Sequence, residues 1–599
     1  MQKSYYVTGN QTVSLPCIDR ESAGLESLTF LSMQYRGMIE MHGGSLPLIQ
    51  PCLWVDEQLA PFEDLHWWYT AAWIPCFQAR AGHYIVQGVW LAPVDQRGFC
   101  MRLTVTAPKE VETVSVQLGV RGQWKGSRHC INESKPLQAS SHAFSSNWNN
   151  TVLFEARSIT PLFALAPMST QAVQSKWEQS EQGIFYQLSE PGSPLSPLDS
   201  RTVTIYWGLG LEEVSAGASA RELARHGYHW LWEQTTHWLQ QRILPLTPPE
   251  LNELYHRNLF FCLFYSTGIT LDTEELVLVT SRSPRYYVSA AYWDRDSLLW
   301  AFPAVLEHDP ALARQMLGYA FGRQGRNIGV HSRFIDGTVL EPGFELDELV
   351  APLIALDAYV HKTGDDTPLA WACVQQVIPE ILQHLQAARH PDIPLYSTFL
   401  QPTDDPHTHP YLTYCNALVC KALRGLASLS PSYAYLDGYA DATESAIWQY
   451  CVQKHTDGPV FAWSVDLNGH YDIYDEPPGS LLLLPWLGFC SADSSVYRNT
   501  VKHILSPQYQ YSFAGTPFGA IGCTHAPHPW LLSFANYLLS RQQTVQVLYQ
   551  LAQMPMDNGI VCESVDEYSG KCTTGAAFAT CAGFVCCSLR YALSSAAHF

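Results

Sequence analysis

Two acidic stretches in the C-terminal half of the chain have the residue types that acid–base chemistry at an acetal carbon requires. Asp404 and Asp405 stand side by side between Pro402 and Pro406 in Ser397-Thr-Phe-Leu-Gln-Pro-Thr-Asp-Asp-Pro-His-Thr-His-Pro-Tyr. Adjacent like charges either solvate freely or, when buried, raise the pKa of one member. A carboxylic acid that keeps its proton at neutral pH is what a departing glycosidic oxygen needs. Glu563 follows the apolar Ile560-Val561-Cys562, which places it at the end of an inward-pointing segment as a candidate base for a water nucleophile. Each has a plainer alternative. Asp404-Asp405 also reads as a Pro-Asp turn with an Asx cap, and Glu563 as an acceptor for backbone amides at the start of the last helix; Asp566 and Glu567 read as loop charges.

A third stretch, Tyr292-Trp293-Asp294-Arg295-Asp296-Ser297, runs into the apolar Leu298-Leu-Trp-Ala-Phe302. Aromatic rings stack on the apolar face of a pyranose, while Arg295 and Asp296 offer a donor fork and an acceptor to adjacent hydroxyls. The alternative is a helix N-terminus capped by acids with a buried salt bridge. The loop from His331 to Glu348 adds Arg333, Glu345, Asp347 and Glu348 ahead of a helix, some as dipole-favoured acids and some as hydroxyl ligands. Trp463, Tyr474, His525 and Trp530 fall near other long loops and are candidates to line the same cleft, with core packing the default for each Trp.

The elements that position these residues divide the chain. At 599 residues two large domains are expected. To about residue 215 the pattern alternates, as in Arg102-Leu-Thr-Val-Thr-Ala, Thr113-Val-Ser-Val-Gln-Leu and Arg201-Thr-Val-Thr-Ile-Tyr-Trp, which predicts an antiparallel β-sandwich over 1–217. Helical spacing from Ser219 to Ile243, followed by Leu244-Pro-Leu-Thr-Pro-Pro, predicts a linker helix and a stiff connector over 218–248. Over 249–599 about twelve amphipathic segments alternate with long loops at every second junction, an unusual spacing for a compact helical domain. Six helix pairs in a toroid, an (α/α)6 barrel with the long loops on one face, account for it; an irregular solenoid is weakened by the absence of a repeat.

Composition narrows the partners. A formal charge of −20 disfavours nucleic acid and anionic membrane and is compatible with a neutral carbohydrate. Met1-Gln-Lys-Ser-Tyr-Tyr lacks a signal-peptide pattern and no apolar run approaches the roughly 18 residues of a membrane helix, so a soluble, cytoplasmic protein of bacterial type is expected. Seventeen scattered cysteines fit reduced, buried thiols. Neither Cys581 with Cys586 and Cys587 nor the His407/His409 and His525/His528 pairs has a second half with metal-site spacing, so neither a metal nor a cofactor is expected. Asn10, Asn132 and Asn149 open sequons that match by chance in a chain without a secretion signal. Oligomeric state is not encoded.

Together these motifs resemble a known group. Tyr292-Trp-Asp-Arg-Asp-Ser resembles the aromatic/Arg-Asp signature of glucoamylase-like (α/α)6-barrel glycoside hydrolases. Gln401-Pro-Thr-Asp-Asp-Pro is similar to the Pro-Ser-Asp-Asp segment of metal-independent exo-α-1,6-mannosidases, glycoside hydrolase family 125. Glu563-Ser with Thr573-Thr-Gly-Ala-Ala-Phe-Ala is similar to the base-bearing loop and last helix of these families. Leu346-Asp-Glu is similar to the Asp-Glu of bacterial glucoamylases and glucodextranases of family 15, which also carry an N-terminal β-sandwich. The shared order of the motifs, over about residues 250 to 595, is more specific than any one of them.

The resemblance implies an inverting, exo-acting α-glycoside hydrolase removing a terminal glucose or mannose. Asp404 or Asp405 would be the general acid, Asp404 the favoured one, and Glu563 the general base. Arg295 and Asp296 would grip the terminal sugar, with Tyr292, Trp293, Arg333, Asp347, Glu348, Trp463 and His525 lining its site. The related families place their acid first in a Glu-Glu pair after Trp; here the pair is Asp-Asp after Thr, which leaves the choice between the two open. Three alternatives stand beside this: a phosphorylase on the same barrel, an epimerase using His331 and His525, and a non-catalytic carbohydrate-binding protein.

Overall fold

The computed structural model describes residues 3–596 apart from Val111 and Asp457. The chain forms two compact units. The first comprises Met1–Leu244 with Thr267–Glu275 and Arg282–Ala290, and the second Pro245–Ser266, Leu276–Ser281 and Ala291–Phe599.

The first unit is built on three antiparallel sheets. An eight-stranded sheet runs from Ser140–Ser146 through Thr151–Arg157, Pro161–Met168, Ser200–Gly210, Gly98–Thr106, Tyr84–Leu91 and Ile74–Ala81 to Glu63–Thr70. The alternating segments pair as their period requires, with Leu103 opposite Val203 and Met101 opposite Ile205. Two six-stranded sheets complete the unit, and large side chains such as Trp90, Phe99, Trp124, Phe154, Phe163 and Trp207 fill one continuous core. The predicted single linker helix is two helices, Glu213–His226 and Tyr228–Gln240. They part at Gly227, whose φ of 77° is the left-handed geometry that glycine adopts without a Cβ clash. The first lies against Ser200–Gly210, where a Cβ on Gly208 would sit 2.2 Å from the Ala220 backbone nitrogen.

The second unit is helical. Helices Pro249–Tyr265, Pro310–Gly322, Leu346–Thr363, Ala372–Ala388, Thr413–Leu429, Leu436–Ala446, Ser495–Ile504, Leu531–Leu539, Thr544–Gln553 and Ala579–Ala596 lie where amphipathic spacing predicts them. Residues 479–489 do not form the expected helix. The chain makes 3-10 turns at Pro477–Gly479 and Leu481–Leu483, and Pro485 has no amide to donate to the Leu481 carbonyl as an α-ladder would require. The expected helix from Trp293 begins as a π-helical turn, Arg295–Ala301, and continues as α-helix Phe302–His308. The Phe302 amide donates to the Ser297 carbonyl five residues back, and the following Pro303 has no amide to restore the tighter repeat.

Every second helical element packs on the next in the series. Arg295–His308 meets Leu346–Thr363, which meets Thr413–Leu429; Leu531–Leu539 meets the turns at 477–483 and Ala579–Ala596, which returns to Arg295–His308. Tyr414, at the start of Thr413–Leu429, lies against Gly479. Gly583 permits the last contact, because a Cβ there would meet the Ala301 Cα at 2.7 Å. Among the described residues no helix is long and apolar enough to cross a membrane.

Candidate active site

The candidate residues stand at the N-termini of these mutually packed elements or in the loops that lead into them. Asp294 to Asp296 open the π-turn, Glu345 to Glu348 open Leu346–Thr363, and Asp404-Asp405 precede Thr413–Leu429. Asp475-Glu476 precede the turns at 477–483, His525 precedes Leu531–Leu539, and Glu563 precedes Ala579–Ala596. Around Arg295 and Leu346 acids are favoured because helix N-termini present unpaired amides and the positive end of the helix dipole, whereas Asp404, Asp405 and Glu563 lie in the loops ahead of their helices.

Arg295 lies at the centre, with 1% of its surface exposed. Its Nη1 donates to Glu345 Oε2 at 2.9 Å and Asp347 Oδ2 at 3.0 Å, and its Nη2 to Asp404 Oδ1 at 2.5 Å. Glu348 Oε1 is 3.6 Å from Nη1, and the other Glu348 oxygen accepts from the backbone amides of Asp294 and Arg295. The Trp300 ring lies 5.6 Å from the guanidinium carbon, within cation–π range. Asp404 is held toward the guanidinium by a turn in which its amide donates to the Gln401 carbonyl at 2.8 Å. Its φ of 65° is a left-handed conformation that Asp tolerates better than most residues.

Burial dominates the electrostatics. It pushes the carboxyls of Asp296 and Glu345 up to about 7, against the downward pull of Arg295 on each. It pushes Glu348 up as well. Burial disfavours a charged His331, yet the carboxylates of Glu341, Glu345 and Asp404 outweigh it and hold the imidazole up at about 10. His331 Nδ1 is 2.7 Å from Glu345 Oε1 and 3.6 Å from Asp404 Oδ1. His331, Glu345 and Asp404 each offer one ligand atom within 4.8 Å of the others. Two of the three already pair with Arg295.

Glu563 is 2% exposed, accepts from Thr574 Oγ1 at 2.7 Å, and is held by its own amide on the Gly575 carbonyl. Its carbonyl accepts from Leu531, and its neighbour Ser564 pairs with Trp530. Trp530 in turn stands edge-on to His525, with centroids 6.0 Å apart, and His525 Nδ1 is 3.0 Å from Asp405 Oδ2. The thiol of Cys581, pushed up by burial, feels the charges of both Asp296 and Glu563. Asp296 itself accepts from Thr580 at 2.8 Å on the last helix. The structure thus brings the Asp-Asp loop, the Glu563 loop and the Arg295 turn to one place.

The predicted residues divide by what their side chains meet. Trp293 Nε1, Asp347 Oδ1 and Glu348 Oε1 are buried atoms with no hydrogen bond among the described residues. Asp404 and Asp405 are partly exposed, with 34% and 41% of their side chains accessible. Tyr292, Arg333 and Trp463 meet protein. Arg333 is ion-paired with Asp294 and donates to the Gln324 carbonyl; Tyr292 donates to Asp294 at 2.5 Å; Trp463 donates to Gln401 at 3.1 Å. Glu476, not among the sequence-predicted residues, is fully buried and pushed up to about 7 by burial. In the sequence it is an acid ahead of the proline pair Pro477-Pro478, with nothing to mark it as part of a site.

Residues 388–588 match the profile of a family described as metal-independent alpha-mannosidase (GH125). The chain is 29% identical over 198 residues to the meiotically up-regulated gene 157 protein of Schizosaccharomyces pombe (strain 972 / ATCC 24843). That alignment covers 30% of this chain and 38% of that protein, so the chain spans well under two thirds of the curated relative. Among solved structures, a bacterial glucoamylase complexed with acarbose superposes with a TM-score of 0.64 at 13% identity, covering 99% of this chain and 96% of that one. A putative kojibiose phosphorylase from human microbiome gives 0.63 at 10%, covering 98% and 86%. A Streptococcus pneumoniae metal-independent alpha mannosidase with α-1,6-mannobiose gives 0.50 at 22%, covering 58% and 94%. The fold is that of glucoamylase-like glycoside hydrolases, as the motifs implied.

Proposed function

We propose that this glucoamylase-like chain is an exo-acting α-glycoside hydrolase, with an α-mannoside the favoured substrate and an inverting, metal-independent mechanism. The observation that carries the reading is the convergence of two acidic loops, 158 positions apart between Asp405 and Glu563 (563 − 405), beside buried polar atoms that make no hydrogen bond among the described residues. Buried polar atoms are seldom left unpaired. One donor (Trp293 Nε1) and one acceptor (Asp347 Oδ1) match the hydroxyls of a terminal sugar, while Glu348 Oε1 is ion-paired with Arg295. The packing of each second helix on the next supports a six-pair (α/α)6 barrel with the site at its mouth. The match to the mannosidase family over 388–588, which contains Asp404, Asp405 and Glu563, supports mannose over glucose.

In this reading a carboxyl of the Asp404/Asp405 pair protonates the leaving oxygen, and Glu563 takes a proton from water attacking the opposite face of an oxocarbenium-like centre. Thr574 orients Glu563. Arg295, held by three carboxylates, fixes the acidic wall of the pocket. Each aspartate has one oxygen engaged, Asp404 Oδ1 by Arg295 and Asp405 Oδ2 by His525, which leaves the other oxygen to carry the proton. Tyr292, Arg333 and Trp463 act by positioning.

The test is turnover of α-1,6-mannobiose and of nitrophenyl α-mannoside and α-glucoside by purified protein, with the product anomer followed by NMR. β-Mannose as the first product supports the reading. Absence of hydrolysis, or α-mannose first, rejects it. The likeness to a putative kojibiose phosphorylase favours one second reading, phosphorolysis, which turnover dependent on phosphate would establish.

A further inference from the structure

Glu476 has no part in the mechanism above, yet it joins the three segments that hold the Asp404/Asp405 pair. Its carboxylate is fully buried and accepts from Gln401 Nε2 at 2.8 Å, Thr403 Oγ1 at 2.8 Å and Tyr474 Oη at 3.0 Å. Gln401 and Thr403 flank Pro402 and lead directly into Asp404-Asp405. The Gln401 amide oxygen accepts from Trp463 Nε1, which leaves its NH2 to face Glu476. The Gln401 amide donates to the Asp405 carbonyl at 3.0 Å, and the Asp404 amide to the Gln401 carbonyl. The loop carrying both aspartates therefore hangs from one carboxylate.

A second arm reaches Asp405 from the other side. Tyr474 Oη donates to Glu476 and accepts from the Thr524 amide at 3.3 Å, while Tyr511 Oη and Thr524 Oγ1 lie 2.8 Å apart. The next residue, His525, pairs with Asp405. Burying a carboxylate among two hydroxyls and an amide, with no cation in hydrogen-bonding contact among the described residues, is costly compared with an apolar side chain in the same place. Such an arrangement is retained where it specifies geometry.

We infer that Glu476 is a positioning residue for the catalytic acid: without touching the sugar, it sets where the Asp404/Asp405 carboxyls stand relative to the glycosidic oxygen. The inference rests on the hydrolase reading. Displacing a reacting group by about 1 Å costs on the order of a hundredfold in rate.

The test compares E476A, E476Q and T403V with wild type on two substrates, α-1,6-mannobiose, whose sugar alkoxide must be protonated as it leaves, and α-mannosyl fluoride, whose leaving group needs little protonation. With the mannobiose, kcat of E476A should fall about a hundredfold with KM within about threefold. E476Q should keep kcat within about tenfold of wild type, because its amide oxygen still accepts and the Thr403 hydroxyl can rotate to accept from its NH2. T403V, which removes one of three donors, should fall between. On the fluoride, the E476A loss should shrink to within about fivefold, since a misplaced acid then matters little. Equal losses of E476A on both substrates, or kcat within about threefold of wild type on both, overturn the inference. A wild-type protein inactive on both removes the hydrolase reading and this inference with it, and active wild type with either failing pattern removes the inference alone.

Discussion

Replacing Arg295 by Met removes the one guanidinium that neutralises the acidic wall. Glu345, Asp347 and Asp404 lose contacts at 2.9, 3.0 and 2.5 Å, and Glu348 an ion pair at 3.6 Å. Removing one partner of a buried charge cluster costs about 3–5 kcal/mol, because the remaining charges stay desolvated without compensation. With an unfolding entropy of about 2.1 cal/mol/K per residue over roughly 350 helical-unit residues, that corresponds to a fall in Tm of about 4–7 °C. The loss must also depend on pH. Burial pushes Glu345 and Glu348 up and Arg295 pulls them back, so R295M raises both carboxyls further. Groups raised on folding contribute stability that is intact below their unfolded value, near pH 4, and lost as pH rises through the folded value. The deficit of R295M relative to wild type should therefore be small at pH 5 and full at pH 8, measured by calorimetry on both proteins. An equal deficit at the two pH values, or none, would refute the charge-cluster reasoning.

Three further outcomes follow from the same geometry. E563Q should lower kcat by about 10²–10⁴-fold while the affinity for mannose, measured by calorimetric titration, stays within about threefold; weakened binding with unchanged kcat would contradict a base role. D404N and D405N separate the acid from its neighbour, because only the acid's variant should recover most of its lost rate on α-mannosyl fluoride, and recovery by both or neither would deny a single acid in this pair. For wild type, Asp296, Glu345, Asp475 and Glu476 are each pushed up to about 7 by burial, while carboxylates and hydrogen bonds outweigh burial to hold His331 at about 10. Both shifts are upward from the unfolded values, so stability held below about pH 4 for the acids and 6.5 for the histidine is lost as pH rises. Tm should fall steadily from pH 5 to pH 8, and a rise would show that these groups do not govern stability.

Much of the arrangement was legible in the chain itself. Period-2 alternation in Arg102–Ala107 and Arg201–Trp207 specified paired strands, because side chains alternate across a pleat whatever lies beyond it. The acids at the start of Leu346–Thr363 and of the turn at Arg295 were readable for a similar reason, since the N-terminal amides that favour them belong to the same few residues. Proline explains a local departure: 3-10 turns at 477–483 replace a predicted helix where Pro485 lacks the donor that an α-ladder needs. What no string discloses is which distant group each charge meets. Arg295 and Arg333 look alike in sequence, yet one faces three acids at the site and the other is enclosed with Asp294 and the Gln324 carbonyl. Glu476 reads as an ordinary acid before a proline pair until Gln401 and Thr403 fold onto it from more than seventy positions away. Sequence determines the backbone preferences because they are local; burial and ion partners, which decide the chemistry of a carboxyl, exist only once remote segments have packed.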